Sequence, residues 1–225
     1  MSSTNPIILM MLVSLKPDQQ QKFVEFAQKN GPLLKNYGIE PIKTIAINIK
    51  GQLAGENLIP QPDFVSLFKV PSMEQFMAYM ADPQYSELSA LRAEATSNVI
   101  GYFGHEQDLP CELNSKSAPS ERMYVVGLAS FKNKSPAGLE LFNKRAIETG
   151  LFETHGMHVE YQLQPFKAAT VVGDHAVVTP DRIQVFFVDK PENLKNYISD
   201  PLYKELSPLR DETLDKYDFF AGALK

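Results

Sequence analysis

The sequence predicts an α+β fold built from two similar β-α-β-β-α-β repeats. Three observations support this: a long internal match, the same order of apolar runs and amphipathic segments in both halves, and a polar, proline-containing segment between them. The chain has 225 residues, enough for one large domain or two small ones with separate cores. We expect a first repeat at 1–104, a linker at 105–121 and a second repeat at 122–225.

The internal match is strongest between residues 79–94 and 197–212, where ten of sixteen positions are identical at a spacing of 118 residues. The same spacing pairs Gly38 with Gly156. It predicts a match without a gap from about residue 18 to residue 104. The second copy has two extra residues, which we expect in the loop after its first strand.

The first half of each repeat reads as strand, helix, strand. Residues 8–15 are apolar throughout, which indicates a strand covered on both faces. Residues 17–36 carry apolar side chains at helical spacing, and Gly38 ends this helix. A β-rich segment follows at 39–49, and residues 64–70 form the next apolar strand.

The second half of each repeat reads as helix, then strand. Ser72 and Gln75 form a capping box that opens a helix. Asp82 and Pro83 restart it, with Asp as the cap and Pro at the first helical position. Residues 99–103 form the last strand. This order is the ferredoxin-like, or split βαβ, pattern.

One ferredoxin-like unit covers only one face of its sheet with helices. Strands that are apolar on both faces cannot leave the other face in water without exposing a large apolar patch. We therefore predict that the bare faces of the two repeats pack together and close an eight-stranded barrel, a single-chain pseudo-dimer.

The pattern DPxYxxLxxLR occurs in both copies. Its residues are Asp82, Pro83, Tyr85, Leu88, Leu91 and Arg92, and again Asp200, Pro201, Tyr203, Leu206, Leu209 and Arg210. With the element order, it resembles the dimeric α/β-barrel superfamily and, within it, domain of unknown function 1330. Typical members carry one copy and dimerise. The superfamily includes cofactor-free isomerases, small monooxygenases and two-copy haem enzymes, so the resemblance implies a fold and leaves the chemistry open.

Composition excludes several classes of function. The net charge is −5 and basic clusters are absent, which argues against nucleic-acid and anionic-membrane partners. The apolar run at 7–15 is too short to span a bilayer, and its counterpart at 123–131 identifies it as a strand, not a signal peptide. The single cysteine, Cys111, cannot form an internal disulfide or a Cys-rich zinc site. We expect a cytoplasmic protein that is a monomer (pseudo-dimer) or a weak homodimer.

The barrel interior is the natural ligand cavity for such a fold. Strand alternation in the second copy places four polar side chains on one face: His158, Glu160, Gln162 and Gln164. We expect this face to line the barrel, joined by Arg182 and Gln184 from the next strand. His158 and Glu160 are then a candidate acid/base pair. Arg182 would anchor an anion, and Gln162 and Gln184 would bind the ligand. In the alternative, this face is partly solvated and these are surface residues.

Tyr203 and Arg210 lie seven residues apart on one helix face, as do Tyr85 and Arg92 in the first copy. In a functional interpretation, the Arg anchors an anion and the Tyr donates a hydrogen bond at the pocket rim. In a structural one, the Tyr packs under the Asp-Pro turn and the Arg pairs with a Glu or caps carbonyls. Presence in both copies favours the structural interpretation, since one active site does not need two copies.

The remaining candidates are weaker. We expect His155 to be a helix-end residue, His175 a solvated loop residue and Cys111 an incidental linker thiol. No phosphate loop, dinucleotide motif, HExxH or GxSxG occurs, so we predict no cofactor and no metal. Haem would need an axial ligand, for which His158 is the candidate.

Two classes of function remain. One is a small-molecule enzyme without a metal, a cofactor-free isomerase or oxygenase acting on a small organic acid. The other is a non-catalytic structural or interaction protein with a filled barrel; a haem-binding two-copy enzyme is a lesser alternative. An open, polar barrel interior would favour the enzyme, and an interior packed by apolar side chains would favour the interaction protein.

Overall fold

A computed structural model describes residues 7–55, 59–110, 115, 117–174 and 176–225. Cys111 and His175 lie outside these ranges. The strands are β1 (Ile7–Leu15), β2 (Glu40–Ala54), β3 (Phe64–Val70), β4 (Thr96–Glu106), β5 (Met123–Phe131), β6 (Met157–Val172), β7 (Arg182–Val188) and β8 (Leu214–Leu224). The helices are α1 (Gln20–Asn36), α2 (Met73–Met80), α3 (Pro83–Ala95), α4 (Ala137–Glu148), α5 (Leu151–Thr154), α6 (Pro191–Ser199) and α7 (Pro201–Asp211).

The predicted α+β class is confirmed, with eight antiparallel strands and seven helices in the described part of the chain. The second helix of each repeat is divided in two at the Asp-Pro step, as its sequence predicts. Asp82 and Asp200 accept hydrogen bonds from the backbone N–H groups of Gln84 and Leu202, both at 2.8 Å. The pseudo-dimeric arrangement of the two repeats stays a prediction.

The chain divides into two compact units. Unit 1 consists of Met1–Thr44, Pro60–Glu106 and Pro165–Thr179. Unit 2 consists of Ile45–Ile59, Gln107–Gln164 and Pro180–Lys225. The long strands β2 and β6 are therefore divided, since each gives one end to unit 1 and the other to unit 2.

In unit 1, β1 pairs with β3 on one side and with β4 on the other. Helix α1 packs against α3. The core beneath them is rich in aromatic rings, and the centroids of Tyr79 and Tyr85 lie 4.6 Å apart. Its buried members are Ile7, Leu9, Leu33, Ile39, Val70, Tyr79, Tyr85 and Phe103.

In unit 2, β5 pairs with β7 and β8. Residues 45–54 of β2 extend the sheet beyond β8, and the first half of β6 extends it beyond β7. Helix α4 packs against α7. Several side chains of α4–α7 belong to one core with the sheet, among them Leu139, Phe142, Phe152, Tyr197 and Leu206.

The two extra residues of the second copy lie later than the sequence predicts. The Arg92 guanidinium lies over Phe26, and that of Arg210 over Phe142. These two phenylalanines therefore correspond, and inside the first helix the two copies are offset by 116 residues. The spacing becomes 118 only at its end. There Gly150 has φ +73°, which divides this helix into α4 and α5.

No helix in the described ranges is long and apolar enough to cross a membrane.

Two glycines provide a matched test of the packing. A Cβ on Gly222 of β8 would lie 1.8 Å from the carbonyl oxygen of Ala46, whereas one on Gly31 of α1 would meet nothing within 4 Å. We expect Gly222→Ala to lower the free energy of unfolding by about 1–3 kcal/mol through overpacking. Gly31→Ala should raise it by about 0.5–1 kcal/mol through helix propensity. Urea unfolding measures both, and a neutral Gly222→Ala would contradict the β2–β8 pairing.

Candidate functional site

A β-bulge at Glu160 changes the face on which the side chains of β6 lie. His158 pairs with Phe187 of β7, and Val159 with Phe186, but Tyr161 pairs with Val185, so Glu160 is left out of the pairing. One extra residue in a strand moves every later side chain to the opposite face. The alternation expected from the sequence therefore holds only up to residue 159.

His158 lies on the sheet face that turns away from the helices. Its ring stacks on Phe187 with centroids 4.9 Å apart. Its Nε2 is buried without a hydrogen-bond partner and lies 3.6 Å from the Asp189 carboxylate, too far for a hydrogen bond. Glu160 is half-buried near Tyr124: burial raises the pKa of that phenol, and the Glu160 charge adds to the effect.

Asp189 is held by the segment that precedes β5. Its carboxylate accepts hydrogen bonds from the hydroxyls of Ser115 and Ser117, and Arg122 donates to both of these hydroxyls. Burial alone would raise the pKa of Asp189, but the two hydroxyls and nearby His158 lower it overall. The imidazole thus adjoins a carboxylate that serves a structural role.

Arg182, Gln184 and Gln162 lie on the opposite, helix-facing side. Gln184 shares its face with Phe186, which packs into the core below the helices, and donates from Nε2 to the Gln162 side-chain oxygen at 3.0 Å. Arg182 lies 3.5 Å from Glu140 of α4. The structure therefore separates these three residues from His158, and the predicted common face is wrong because of the bulge.

The face of this sheet away from the helices is mainly apolar. In unit 2, eight of its side chains are at most 1% exposed: Tyr124, Val126, Leu128, Leu163, Ile183, Val185, Phe187 and Phe220. His158 and the fully buried Asp218, which pairs with Leu128, are polar residues on the same face. Arg182, Gln184 and Gln162, which we also expected there, line the helix side instead. A ligand site in unit 2 is therefore to be sought between the sheet and its helices.

A cavity of about 130 Å³ lies there, which we call the inner cavity. All of its lining residues belong to unit 2: Leu53, Val125, Leu139, Phe142, Asn143, Phe152, Met157, Val159, Gln184, Phe186, Leu194, Tyr197, Ile198, Tyr203, Arg210, Tyr217 and Phe219. Leu53 and Ile198 are 41% and 46% exposed, so they mark the side that opens to solvent. Gln184, Tyr203 and Arg210 were predicted from the sequence as ligand-binding residues, and they meet here.

Helix α7 positions the charged end of the inner cavity. Tyr203 and Arg210 lie two turns apart, and Arg210 donates from Nη2 to the Tyr203 hydroxyl at 3.2 Å. Its Nε donates to Asp211 at 2.7 Å, and its guanidinium lies 5.0 Å from the centroid of Phe142. The pairing with Glu expected in the structural interpretation is thus replaced by a Tyr and an Asp. Since Tyr203 accepts from Arg210, its own proton remains available to a ligand.

Two further phenols, missed in the sequence, line the inner cavity. Within the described residues, the hydroxyls of Tyr197 and Tyr217 have no hydrogen-bond partner. Burial raises the pKa of Tyr217 to about 12 and raises that of Tyr197 as well. Both phenols are therefore protonated at neutral pH and can donate to a ligand.

Differences between the copies account for part of the inner cavity. In unit 1, Tyr79 donates to the Asn30 side chain at 2.9 Å. Corresponding residues of the first helices are 116 residues apart, so Ala146 occupies the position of Asn30 in the second copy. Tyr197, the counterpart of Tyr79, therefore has no such acceptor. The 118-residue spacing predicted from the sequence aligns Asn30 with Glu148 instead, so the lost acceptor becomes visible only with the spacing that the structure shows.

Haem does not fit the inner cavity. The volume of about 130 Å³ is below the ~300–1,000 Å³ of pockets for drug-sized ligands, and haem is of that size or larger. His158, the axial ligand expected from the sequence, lies on the opposite face of the sheet. In the described residues, no group of three or more His, Cys, Asp or Glu could hold a metal ion.

Comparison with known proteins places the fold. Residues 10–101 match a family model described as domain of unknown function (DUF1330). An anthrone oxidase-like protein is 10% identical, with a TM-score of 0.65 and coverage of 100% of this chain and 92% of that chain. The chain has the fold of the dimeric α/β-barrel superfamily. The resemblance seen in the sequence is thus confirmed.

Two other solved structures agree. A protein from Lactobacillus acidophilus described as a putative monooxygenase is 11% identical, with a TM-score of 0.56 and coverage of 98% and 94% of the two chains. A mutant chlorite dismutase from Candidatus Nitrospira defluvii is 8% identical, with a TM-score of 0.61 and coverage of 99% and 92%. At such identities the similarity concerns the fold alone. No curated protein matches the chain.

Asp200, which caps α7, provides a test of how the site is held. The His155 ring nitrogen lies 2.8 Å from its carboxylate. This hydrogen bond, followed by that from the Leu202 N–H, lowers the pKa of Asp200. A lowered carboxyl pKa stabilises the fold above the unfolded value of about 3.9, and the gain is lost as the pH falls through the folded value.

Asp200→Asn keeps a good helix cap but cannot ionise. We expect the native protein to exceed this variant in free energy of unfolding at about pH 5, and the difference to shrink towards about pH 2.5. Urea unfolding across that range measures it. A difference that does not change with pH would show that the His155–Asp200 contact does not couple to folding.

Proposed function

We propose that unit 2 binds a small organic molecule in the inner cavity, with an oxygen atom of the ligand directed at Arg210 and Tyr203. The observation that supports this most strongly is the group of polar side chains that line an otherwise apolar cavity. Ligand sites typically combine an apolar lining with a few convergent polar groups.

The size of the inner cavity suits a single ring. An engineered cavity of about 150 Å³ lined by apolar side chains holds benzene, and the inner cavity has about 130 Å³. The rings of Phe142, Phe152, Phe186 and Phe219 line it. Aromatic rings favour offset-stacked or edge-to-face contacts with an aromatic ligand.

The polar groups favour a ligand that accepts hydrogen bonds. Tyr197, Tyr203 and Tyr217 each carry a hydroxyl proton that no described residue accepts. The Arg210 charge is partly balanced by Asp211. A phenol, a carbonyl compound or a small organic acid has suitable acceptor oxygens.

A cofactor-free oxygenase activity is the second candidate. It is supported by similarity of fold to proteins described as a putative monooxygenase and as anthrone oxidase-like. Hydrogen bonds from Arg210 and Tyr203 would favour the phenolate form of a bound phenol, which is the electron-rich form that O₂ oxidises. The substrate itself would supply the electrons: one oxygen atom replaces a ring hydrogen to give a quinone, and the other leaves as water with the two hydrogens that the substrate loses. An isomerase is less well supported, because no described lining residue is a His, Asp or Glu that could act as a base.

The other sequence-based assignments stay predictions. His158 and Glu160 would act as an acid/base pair only on a ligand bound at the face away from the helices. The cytoplasmic location and the monomeric state rest on composition and on the paired repeats. A non-catalytic role for the chain is compatible with ligand binding in the inner cavity.

Phenol is the probe that tests the proposal. Leu194→Phe introduces the residue that Phe76 provides in the first copy and should fill the inner cavity, whereas Leu141→Phe places the same ring on the surface, at a side chain 42% exposed. We expect Leu194→Phe to weaken phenol binding by at least about ten-fold, or 1.4 kcal/mol. Leu141→Phe should leave binding unchanged. Isothermal titration calorimetry measures both variants.

Phenol-induced NMR shifts of the native methyl groups give an independent readout. The methyl groups of Leu139, Val159 and Leu194 should shift, because all three line the inner cavity. Equal phenol binding by Leu194→Phe and the native protein, or shifts confined to other methyl groups, would refute the proposed site.

A further inference from the structure

A second cavity, of about 320 Å³, lies beside the inner cavity in unit 2, and we call it the outer cavity. Its lining is polar and charged for the most part: Asp108, Pro110, Glu140, Asn143, Lys144, Ile147, Glu148 and Gln162. Asn143 also lines the inner cavity. The two cavities therefore meet at this residue of α4.

Asn143 has an unpartnered amide at this junction. The residue is only 7% exposed, and its amide makes no hydrogen bond to any described residue. The amide atoms are nevertheless accessible from the cavities, so a ligand can take the place of water there. The amide offers one acceptor and two donors to whatever occupies the two cavities.

The neighbouring amides differ from Asn143 because they are already paired. Gln184 lines the inner cavity and donates to Gln162, which lines the outer one. Gln162 in turn donates to the Asp108 carbonyl oxygen at 3.2 Å. This chain of hydrogen bonds fixes both glutamines, so Asn143 remains the group that can adapt to a ligand.

We infer that Asn143 determines specificity by pairing with a ligand group that both donates and accepts hydrogen bonds, such as a carboxamide. The ring of this ligand occupies the inner cavity, the carboxamide lies at Asn143, and a tail extends into the outer cavity. This inference rests on the proposed function and names the class of ligand for the same site.

The charges of the outer cavity select the tail. Three carboxylates line this cavity, those of Asp108, Glu140 and Glu148. Arg182 pairs with Glu140, and Lys144 and Arg145 pair with Glu148. Asp108 makes no ion pair with any described residue, so its negative charge favours a cationic tail over an anionic one.

The first copy provides the matched variant. At the spacing that aligns Phe26 with Phe142, Ala27 occupies the position of Asn143. Asn143→Ala therefore introduces a residue that the same helix carries in unit 1. The variant removes an unpartnered amide, so we expect its fold to be retained.

Benzamide and toluene separate the role of Asn143 from that of the inner cavity. Asn143→Ala should bind benzamide at least about ten-fold more weakly than the native protein, the factor expected for one buried hydrogen-bonding group. Toluene binding, which needs only the inner cavity, should change by less than about two-fold. Calorimetric titration of the full-length protein measures both ligands, and retained toluene binding shows that the variant is folded.

Equal benzamide affinity for Asn143→Ala and the native protein would overturn the inference while leaving the proposed function in place. If the native protein binds neither toluene nor benzamide, the proposed function fails, and the inference fails with it.

A second pair of probes tests the outer cavity. N-(2-aminoethyl)benzamide and N-(2-carboxyethyl)benzamide share the ring and the amide and differ in the sign of the tail charge. We expect the amine to bind about five-fold more tightly at low ionic strength, with the difference reduced by salt. Equal affinity, or tighter binding of the carboxylate, would show that the tail does not occupy the outer cavity.

Discussion

Each unit depends on a guanidinium that is buried in its helical layer. Arg92 and Arg210 are both 7% exposed, and a buried charge destabilises a protein unless hydrogen bonds and opposite charge compensate it. In both units the same solution recurs: the Arg donates to a Tyr hydroxyl seven residues earlier and lies over a Phe of the first helix. This requirement fixes the rotation of α3 and α7 and the position of α1 and α4 above them. The motif shared by the two copies is therefore structural first, and the second copy also uses it to line a cavity.

The compensation differs between the copies in an informative way. Arg92 is followed by Ala93, and its Nε is buried without a partner. Arg210 is followed by Asp211, which accepts from Nε. The second copy thus balances the charge locally. Tyr197 has also lost the acceptor that Asn30 gives to Tyr79. Together these changes leave the second copy with an arginine whose charge is partly balanced and with free phenols, a combination suited to a ligand.

Much of the fold was predictable because it rests on local signals. The apolar runs, the Asp-Pro caps and the spacing of Tyr203 and Arg210 are each properties of a few adjacent residues. The site was predicted in part: Gln184, Tyr203 and Arg210 meet in the inner cavity, whereas His158 does not. The error has one cause, because a bulge at Glu160 leaves no clear signal in an alternating strand and reverses the face of every later residue. Asn143 and Tyr197 were missed because their importance lies in partners that are absent, which only three-dimensional packing reveals.

Strands β2 and β6 each contribute residues to both units, and this limits where the chain can be cut into stable fragments. Residues 165–172 of β6 belong to the unit that contains β4, their hydrogen-bonded neighbour, although the linker separates them in sequence. A protein cut within 105–121 would leave β4 with an unpaired edge, and unpaired edges promote aggregation. A fragment that keeps β4 fully paired must therefore contain residues 165–172 of β6 as well.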